Sequence, residues 1–493
     1  SHVFGNPAFL TFGHAIWCST APPYKPGIIG SRPPCLLWKQ FKTGGGIGHA
    51  PMDSLMSHVI PKRIWDPKAE TMPRKDLETL QLARLRQTVA RVANVPFYKD
   101  AFAKRGIGPE SIKTLDDVRR LPFTTKEDLR QHYPLGFLAV PRSDVARYHG
   151  SSGTTGKPTF VAYTAGDLGT WADLCARFLV AGGLQPHHTV HIAFGYGLFT
   201  GGFGLHYGIE RVGAAIVPAS SGNTPRQILL IRDLNAEVLI STPSYALQIA
   251  EVAREQGMSP ADLPLQYAHF GGEPWTEDMR TQIEAQLGLE AYNNYGLSEV
   301  IGPGVSGECH LRAGMHIQED HFIVECVDPD TLEPITDGSY GELIFTSLTK
   351  EAFPVLRYRT RDIAALDPCP CDCGRTSIRM SRIVGRTDDM LIIRGVNVFP
   401  SQIEEALLRV EGTAPHYEIV IERPGALDEV TIRVEIRPEL FSDKMSEMQV
   451  LKERIVREIA SVTGVRARVE LVSPQTLQRS PGKAKRVIDM RKA

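Results

Sequence analysis

The chain has 493 residues, of which 42% are hydrophobic and 23% are charged, and its formal net charge at pH 7 is −1. This length exceeds what a single hydrophobic core usually supports and predicts two or three domains. The near-neutral charge gives no electrostatic reason to expect nucleic acid or an anionic membrane as a partner. No apolar run reaches the length of a membrane span. We expect a cytoplasmic location.

Residues 1–60 differ in character from the rest of the chain. They are rich in glycine, proline and isolated aromatic residues, and they include three consecutive glycines at 44–46. The mildly apolar run 9–17 contains a histidine and a glycine and has no basic segment before it, which argues against a signal peptide. We expect residues 1–60 to be a poorly ordered extension or a mis-called start that carries no chemistry.

Regular patterns begin near Trp65. Apolar residues recur at helical spacing over 74–95, and Thr125 with Asp128 predicts a capping box at a helix start. Between about 145 and 345, Val/Ile-rich runs alternate with helical stretches, which predicts an α/β domain with a mostly parallel sheet. The predicted strands are 189–194, 214–218, 238–241 and 267–270, and the helices between them include 224–234 and 244–256. Ligand loops should lie beyond the carboxyl ends of these strands.

A second, smaller α+β unit is predicted after residue 385. A helix should begin at Pro400, with Ser401 as its cap and Glu404 reaching back to the cap residue. Strands are predicted at 417–422, 430–436 and 466–472, with a helix at 445–463. The predicted organisation is therefore an extension at 1–60, a large domain at 61–385 and a small C-terminal domain at 386–493.

The segment with the strongest chemical signal follows residue 150. It reads Ser151, Ser152, Gly153, Thr154, Thr155, Gly156 and Lys157. Glycines let backbone N–H groups approach phosphate oxygens closely, hydroxyls add donors and the lysine adds a positive charge. It is not the P-loop of ordinary NTPases, because Gly150 and Gly156 enclose five residues and Pro158 stands where that motif has Ser or Thr.

Further segments carry side chains suited to a nucleotide site. The run 293–299 offers an aromatic ring at Tyr295 and a carboxylate at Glu299, and the run 357–362 places Asp362 in a basic stretch. Gly-Arg-Thr-Asp-Asp at 385–389 precedes the second domain, and a Pro-Gly turn near the chain end presents Lys483.

Each of these residues also has an ordinary structural interpretation. Tyr295 could be a core aromatic and Glu299 a solvated charge. Asp362 could form a surface ion pair with Arg359 or Arg361, and Lys483 could belong to a solvated basic cluster with its neighbours at 485 and 486.

In this order and at these distances, the segments resemble the acyl-adenylate-forming synthetase superfamily. The likeness is closest to the phenylacetate–CoA ligases, and it is carried by DDMLIIRGVNVFPSQIE at 388–404, WDP at 65–67 and EDHF at 319–322. The resemblance spans roughly residues 64–490. It implies that a carboxylate attacks the α-phosphorus of ATP, which releases pyrophosphate, and that the thiol of coenzyme A then displaces AMP.

The resemblance also implies roles for individual residues. Catalysis would rest on Lys483, Glu299, which would hold Mg²⁺, and Lys157. ATP or AMP would contact residues 151–156 and a second group, which comprises Gly272, Glu273, Pro274, Asn294, Tyr295, Gly296, Ser298, Asp362 and Arg386. Asp388 would be the hinge of a mobile C-terminal domain, and Gly395, Val396 and Asn397 would border coenzyme A.

The binding slot for the acid is less explicit in the sequence. Phe194, Tyr196 and Gly197, together with Tyr148, could build a flat apolar slot for an aromatic ring. Glycine-rich helix packing explains the same residues about as well. The resemblance favours an arylacetate or a related aryl acid.

The cysteines suggest a structural metal. Cys309, His316, Cys371 and Cys373 form a Cys₃His set that suits tetrahedral zinc. Cys369 is a competing ligand, and His310 could replace His316. Reduced free thiols are the alternative.

The sequence therefore predicts an AMP-forming aryl-acid–CoA ligase that uses ATP, Mg²⁺ and coenzyme A. The alternative is an adenylyltransferase of the same superfamily, which forms the adenylate and does not transfer it to a thiol. A third hypothesis is a non-catalytic nucleotide sensor. The oligomeric state stays open, with a homodimer as one arrangement.

Overall fold

The computed structural model describes residues 63–492, apart from 152–157, 394–395, 424–427, 438–444 and 479–485. The predicted extension at 1–60 lies outside the described residues. The helices are α1 Pro67–Glu70, α2 Arg74–Val92, α3 Pro96–Arg105, α4 Lys126–Gln131, α5 Ala165–Ala181, α6 Thr200–Val212, α7 Thr224–Asp233, α8 Pro243–Glu255, α9 Glu277–Leu287, α10 Pro400–Leu408 and α11 Met445–Thr463. No helix within these described ranges is both long and apolar enough to cross a bilayer.

The strands are β1 Arg147–Gly150, β2 Phe160–Tyr163, β3 Thr189–Ile192, β4 Ala215–Val217, β5 Val238–Ser241, β6 Tyr267–Phe270, β7 Glu290–Leu297, β8 Gly302–Glu308, β9 Met315–Ile317, β10 Phe322–Val327 and β11 Gly341–Ser347. They continue as β12 Tyr358–Ala364, β13 Leu366–Asp367, β14 Arg379–Met380, β15 Gly385–Arg386, β16 Leu391–Ile393, β17 Val396–Val398, β18 Thr413–Glu422, β19 Glu429–Ile436, β20 Arg468–Val472 and β21 Val487–Asp489. The predicted α/β alternation is confirmed, and most element bounds agree with the predicted ones to within two residues.

The largest sheet has nine strands in the order β13-β14-β9-β8-β7-β6-β5-β3-β4. Strands β4, β3, β5, β6 and β7 pair in parallel, which confirms the predicted parallel sheet, and antiparallel pairs continue it from β7 to β13. The parallel strands are short and apolar because helices cover both of their faces.

The side chains of β5 show this two-sided burial. Val238 and Ile240 belong to the core cluster that contains Leu174 of α5 and Ile209 of α6. Leu239 points to the other face, because successive strand residues alternate, and joins the cluster of α7, α8 and α9. The helices are therefore divided between the two faces of the sheet.

A second, antiparallel sheet of the large domain has the order β10-β11-β12-β15. The C-terminal sheet has the order β20-β19-β18-β21 and packs with α10 and α11 around its own apolar cluster. Residues such as Ile419, Ile432 and Ile455 fill that cluster. The C-terminal part thus has the core of a separate α+β domain.

The two predicted caps have different outcomes. At α4, Thr125 N donates to Asp128 Oδ2 at 2.8 Å and Asp128 N donates to Thr125 Oγ1 at 3.2 Å, so the capping box is confirmed. At α10 the predicted start at Pro400 is confirmed, but the predicted cap is wrong, because the cap residue is Phe399 and Gln402 accepts from its backbone N–H at 2.9 Å. Proline occupies the first helical position, and the Ser401 hydroxyl donates to Val384 O instead.

Candidate active site

Four parallel strands end at the same edge of the large sheet, and predicted site residues follow two of them and form the end of a third. Phe194 comes after β3, the run 271–274 comes after β6, and 293–297 form the carboxyl half of β7. Thr242 follows β5. Parallel strands bring their carboxyl ends together, so we expect these segments to border one crevice.

The base of the predicted phosphate loop is closed by backbone hydrogen bonds. Ser151 N donates to Thr159 O at 3.0 Å, beside the antiparallel pair β1 and β2. Gly150 N donates to Leu198 O at 2.8 Å, which joins this base to the predicted acid-binding segment. The loop residues Ser152 to Lys157 lie outside the described residues, so their phosphate contacts stay predictions.

The segment predicted to surround adenine is held by its neighbours. Asn294 Nδ2 donates to Phe270 O at 2.8 Å, and Glu273 Oε1 accepts from Ser244 N at 2.7 Å. Gly272 has φ +84°, and a Cβ at this position would lie 3.2 Å from the ring of Phe194. The structure therefore brings the predicted adenine and acid segments together.

A buried carboxylate links the two sheets of the large domain. Asp362 on β12 accepts a hydrogen bond from the Tyr295 hydroxyl on β7 at 2.6 Å, and another from Arg386 on β15 at 2.7 Å. The same guanidinium donates to both oxygens of Asp388, at 2.9 and 3.0 Å. Burial and then the neighbouring Asp362 charge raise the pKa of Tyr295, so its hydroxyl keeps its proton and donates. These bonds join the predicted nucleotide site to the predicted hinge.

The alternative interpretation of Asp362 as a surface ion pair is wrong. Asp362 is 6% exposed, and Arg359 and Arg361 pair with Glu342 at 2.6 and 3.8 Å. Strand alternation places the two arginines on one face of β12 and Asp362 on the other. Tyr295 itself belongs to the large core cluster and stacks on Phe345, with 6.0 Å between the ring centroids.

Glu299 lies in the turn after β7 and is buried rather than solvated. It is 6% exposed, and Lys126 Nζ lies 3.8 Å from its Oε1. The hydroxyls of the preceding Ser298 and of Thr200, at the start of α6, are 2.9 Å apart and fix the turn. A buried carboxylate oxygen is the kind of ligand that Mg²⁺ takes.

Sequence reasoning missed a fully buried lysine near this turn. Lys350 is 2% exposed, and its ammonium lies 4.0 Å from the ring centroid of Tyr163 without a hydrogen-bond acceptor among the described residues. The Tyr163 hydroxyl donates to Ile301 O at 2.9 Å, two residues after Glu299. Burial lowers the pKa of Lys350 to about 8, although the charges of Asp167 and Glu299 oppose this shift. No local pattern marks Lys350, because tertiary packing alone buries it.

The predicted acid-binding residues cluster near the start of α6. The Tyr196 hydroxyl and His206 Nδ1 are 3.1 Å apart, and the Tyr196 ring meets Phe203 edge-on, with 5.3 Å between the centroids. Gly197 has φ +145° and open space around it. Tyr148 on β1 is 41% exposed. The cluster is aromatic with a polar edge, which suits an aryl group.

The remaining predicted residues lie around the start of the C-terminal domain. Asp388 follows β15 and precedes the β16–β17 hairpin, and Val396 is exposed on β17. The backbone of Asn397 belongs to the same strand. Gly395 and Lys483 lie outside the described residues, so the coenzyme A and catalytic roles stay predictions.

The predicted zinc ligands lie together away from this crevice. The ligand atoms of Cys309, His316, Cys371 and Cys373 are all within 4.8 Å of one another. The Cys309 and Cys371 sulfurs are 3.9 Å apart, and Cys373 Sγ is 3.4 Å from His316 Nε2. Hydrogen bonds from Cys309 and Cys371, together with His316, hold the pKa of the Cys373 thiol well below its usual range. Neither of the two competing candidates, Cys369 and His310, belongs to this cluster.

Comparisons with known proteins agree with this geometry. Residues 84–349 match the family model described as AMP-binding enzyme, and residues 395–491 match AMP-binding enzyme C-terminal domain. The phenylacetate-coenzyme A ligase of Thermus thermophilus is 51% identical over 444 residues, which cover 87% of this chain and 100% of that protein. The chain therefore belongs to the AMP-binding enzyme family.

A solved 2-hydroxyisobutyryl-CoA ligase is also similar, in two of its states. In the postadenylation state with 2-HIB-AMP, its TM-score to this chain is 0.83 at 30% identity, with 92% of this chain and 96% of that chain covered. In the thioesterification state with 2-HIB-AMP and CoA, the TM-score is 0.64 at 31% identity, with 90% and 94% covered. The chain thus resembles the first state more closely.

Replacement of Lys350 tests how much its burial lowers the free energy of unfolding. Because the folded protein lowers the pKa of Lys350 to about 8, the unfolded chain binds more protons between pH 8 and the ordinary lysine pKa. Stability of the native sequence should therefore rise with pH across that window. We expect Lys350→Met to raise the free energy of unfolding at pH 7 by about 1–3 kcal/mol, with a smaller gain at higher pH.

Urea unfolding of both proteins at pH 7 and pH 9.5 measures this effect. Exposed Lys75 provides the matched control, and Lys75→Met should change the free energy of unfolding by less than about 0.5 kcal/mol. Lower stability of Lys350→Met at pH 7 would mean that the buried ammonium is net stabilising.

Proposed function

We propose that this protein joins an aryl acid, phenylacetate or a close relative, to coenzyme A at the expense of ATP. The acid's carboxylate attacks the α-phosphorus and releases pyrophosphate, which leaves an acyl adenylate. The thiol of coenzyme A then attacks the acyl carbon, and AMP leaves as the thioester forms. The buried Asp362 cluster at the strand ends is the observation that supports this most strongly, in a chain 51% identical to a phenylacetate-coenzyme A ligase.

The Asp362 carboxylate accepts hydrogen bonds from the hydroxyls of the nucleotide ribose. It is already oriented by hydrogen bonds from Tyr295 and Arg386, so little ordering is needed when the ribose arrives. Tyr295 and the loop 271–274 border the base, and the loop 151–157 grips the β- and γ-phosphates. These roles agree with the placement of the segments around one crevice.

Glu299 holds Mg²⁺ when the metal is bound. Its fit rests on its buried carboxylate in a turn fixed by the Ser298 and Thr200 hydroxyls. The ion would neutralise phosphate charge as pyrophosphate leaves. Lys126 Nζ lies 3.8 Å from Glu299 Oε1 and restrains this carboxylate.

Lys483 neutralises the charge that develops between the acid and the α-phosphate. Its domain then rotates about Asp388, so that the hairpin around Val396 borders the pantetheine arm of coenzyme A. The placement of Asp388 between the two domains and its bonds to Arg386 support this hinge. The predicted boundaries at 61–385 and 386–493, the cytoplasmic location and the homodimer remain predictions.

Phenylacetate is favoured because the segment next to the phosphate loop is aromatic. Phe194 and Tyr196 lie within it, and the polar edge formed by Tyr196 and His206 can accept a ring substituent. An assay of pyrophosphate release with a panel of aryl acids, with and without coenzyme A, tests the function. AMP and a thioester should form together only when coenzyme A is present, whereas adenylate with no coenzyme A consumption would indicate the adenylyltransferase.

Lys483→Ala is expected to separate the two half-reactions. Loss of the ammonium should slow acid-dependent adenylation by about 100-fold or more, because charge on the α-phosphate is no longer stabilised. Thioester formation from supplied acyl adenylate should be nearly unchanged. Rapid-quench measurement of both half-reactions checks this, with Lys485→Ala as the neighbouring control. If both variants behave alike, the basic cluster is merely a solvated face.

Asp362→Asn is expected to weaken ATP binding selectively. The amide is uncharged and offers the ribose fewer acceptor sites, so the KM for ATP should rise about tenfold or more. The KM values for the acid and coenzyme A should stay close to the original. Steady-state kinetics measure all three, and Glu325→Gln, which removes an ion pair with Arg357 in the same sheet, is the control. An equal rise in the KM for ATP in both variants would contradict the assignment.

The Cys₃His cluster holds a structural zinc ion in this proposal. Tetrahedral zinc with Zn–S bonds of about 2.3 Å places its sulfurs about 3.8 Å apart, close to the separation of Cys309 and Cys371. His316 Nδ1 lies 3.2 Å from the Ser377 hydroxyl, which fixes the ring and leaves Nε2 for the metal. A closed set of four ligands leaves no open position for substrate, so the ion would stabilise the fold.

Metal analysis of protein purified without chelator tests the zinc site. We expect about one zinc per chain. Cys309→Ser should lose the metal and unfold at lower temperature, whereas Cys369→Ser should retain both. Metal-free native protein, or equal zinc loss in the two variants, would exclude this site.

A further inference from the structure

The C-terminal domain meets an acidic face on the large domain. Helices α8 and α9 present carboxylates at this face, and the C-terminal domain presents donors opposite them. His416 Nε2 lies 3.1 Å from Glu251 Oε2, and Gln475 Nε2 donates to Glu255 Oε1 at 3.1 Å. The contacts join elements far apart in sequence, so they report how the two domains are docked.

A third polar contact and an apolar one extend this face. Arg409 lies 3.8 Å from Asp278, with both side chains about half exposed. Leu408, at the end of α10, packs against the core cluster that contains Met279 and Ile283 of α9. Polar contacts, one of them an ion pair, surround an apolar contact, an arrangement that favours one relative orientation.

The same interface reaches the segment that precedes β21. Arg486 lies 3.4 Å from Glu404 and 4.4 Å from the Tyr417 ring centroid. Although burial opposes it, Tyr417, Glu404 and also Glu273 of the large domain raise the pKa of Arg486. Arg486 follows Lys483 by three residues in the sequence.

The docked arrangement corresponds to one of the two states seen in the solved relative. The TM-score is 0.83 to the postadenylation state and 0.64 to the thioesterification state. The contacts of His416 and Arg409 with the large domain therefore accompany the first arrangement.

We propose that Glu251, His416, Asp278 and Arg409 are positioning residues that hold the C-terminal domain in the orientation for adenylation. They act through Lys483 and touch neither ATP nor the acid. This inference rests on the proposed function, and it adds which side chains favour the first half-reaction over the second.

The physical basis is a population shift between two docked states. A contact present in only one state stabilises that state by its own free energy, and losing the contact moves the population toward the other. Weakening the interface should therefore reduce adenylation. Thioester formation, which needs the domain in its other orientation, should be unchanged or faster. A merely structural role would lower both rates together.

The experiment uses the full chain and measures the two half-reactions separately. Adenylation is followed as phenylacetate-dependent pyrophosphate release without coenzyme A, and thioester formation is followed from supplied phenylacetyl adenylate and coenzyme A. We expect Glu251→Ala, His416→Ala and Asp278→Arg each to slow adenylation about fivefold, the effect of one lost surface contact. The thioester rate should be equal to or above that of the native protein.

Conservative and control variants complete the test. Asp278→Glu keeps the negative charge opposite Arg409 and should leave adenylation within about twofold of native. Glu418→Ala, on the same strand as His416, removes an ion pair with Arg433 inside the C-terminal domain and should change neither rate. Thermal unfolding identifies any variant that fails to fold.

Two results would overturn the inference. One is an equal loss in both half-reactions, and the other is unchanged adenylation in folded variants. Failure of the proposed function is distinguishable, because the native protein itself would then release no pyrophosphate with any aryl acid.

Discussion

The buried Asp362 carboxylate is the constraint on which the site depends. It accepts from Tyr295 of the nine-stranded sheet and from Arg386 beside the C-terminal domain, and Arg386 in turn holds Asp388. A buried charge is tolerated only where donors surround it, so these partners must be in place whenever the protein is folded. The nucleotide crevice and the start of the second domain are thereby fixed to each other through one side chain.

Other buried charges concentrate at the same crevice. Glu299 and Lys350 are both nearly inaccessible, and the arrangement exposes neither to bulk water. Such groups reduce stability, which proteins commonly accept at functional sites because preoriented charge needs no rearrangement during reaction. The interface between the domains follows a different rule. Its contacts, such as His416 with Glu251, are partly exposed and individually weak, as a contact must be if it breaks during each catalytic cycle.

Much of the fold followed from the sequence because its signals are local. The apolar run of β5 and the periodicity of α11 specify those elements, and Cys371 with Cys373 marked a cysteine–histidine cluster that the structure assembles. The cap of α10 was misjudged, since a serine in the first turn was chosen over the residue before the proline. Lys350 could not be found, because a lysine is buried by elements distant in the chain rather than by its neighbours. The partners of Asp362 were also missed, since strand pairing decides which of several arginines reaches it.

The claim tested most directly is that the acid becomes an acyl adenylate before it meets coenzyme A. Phenylacetate labelled with ¹⁸O in its carboxylate, turned over with ATP and coenzyme A, gives AMP that mass spectrometry can examine for the label. An acyl adenylate predicts that one carboxylate oxygen is transferred to the phosphate of AMP when the thiol displaces it. Unlabelled AMP, with the label in inorganic phosphate or retained in the thioester alone, would contradict the account.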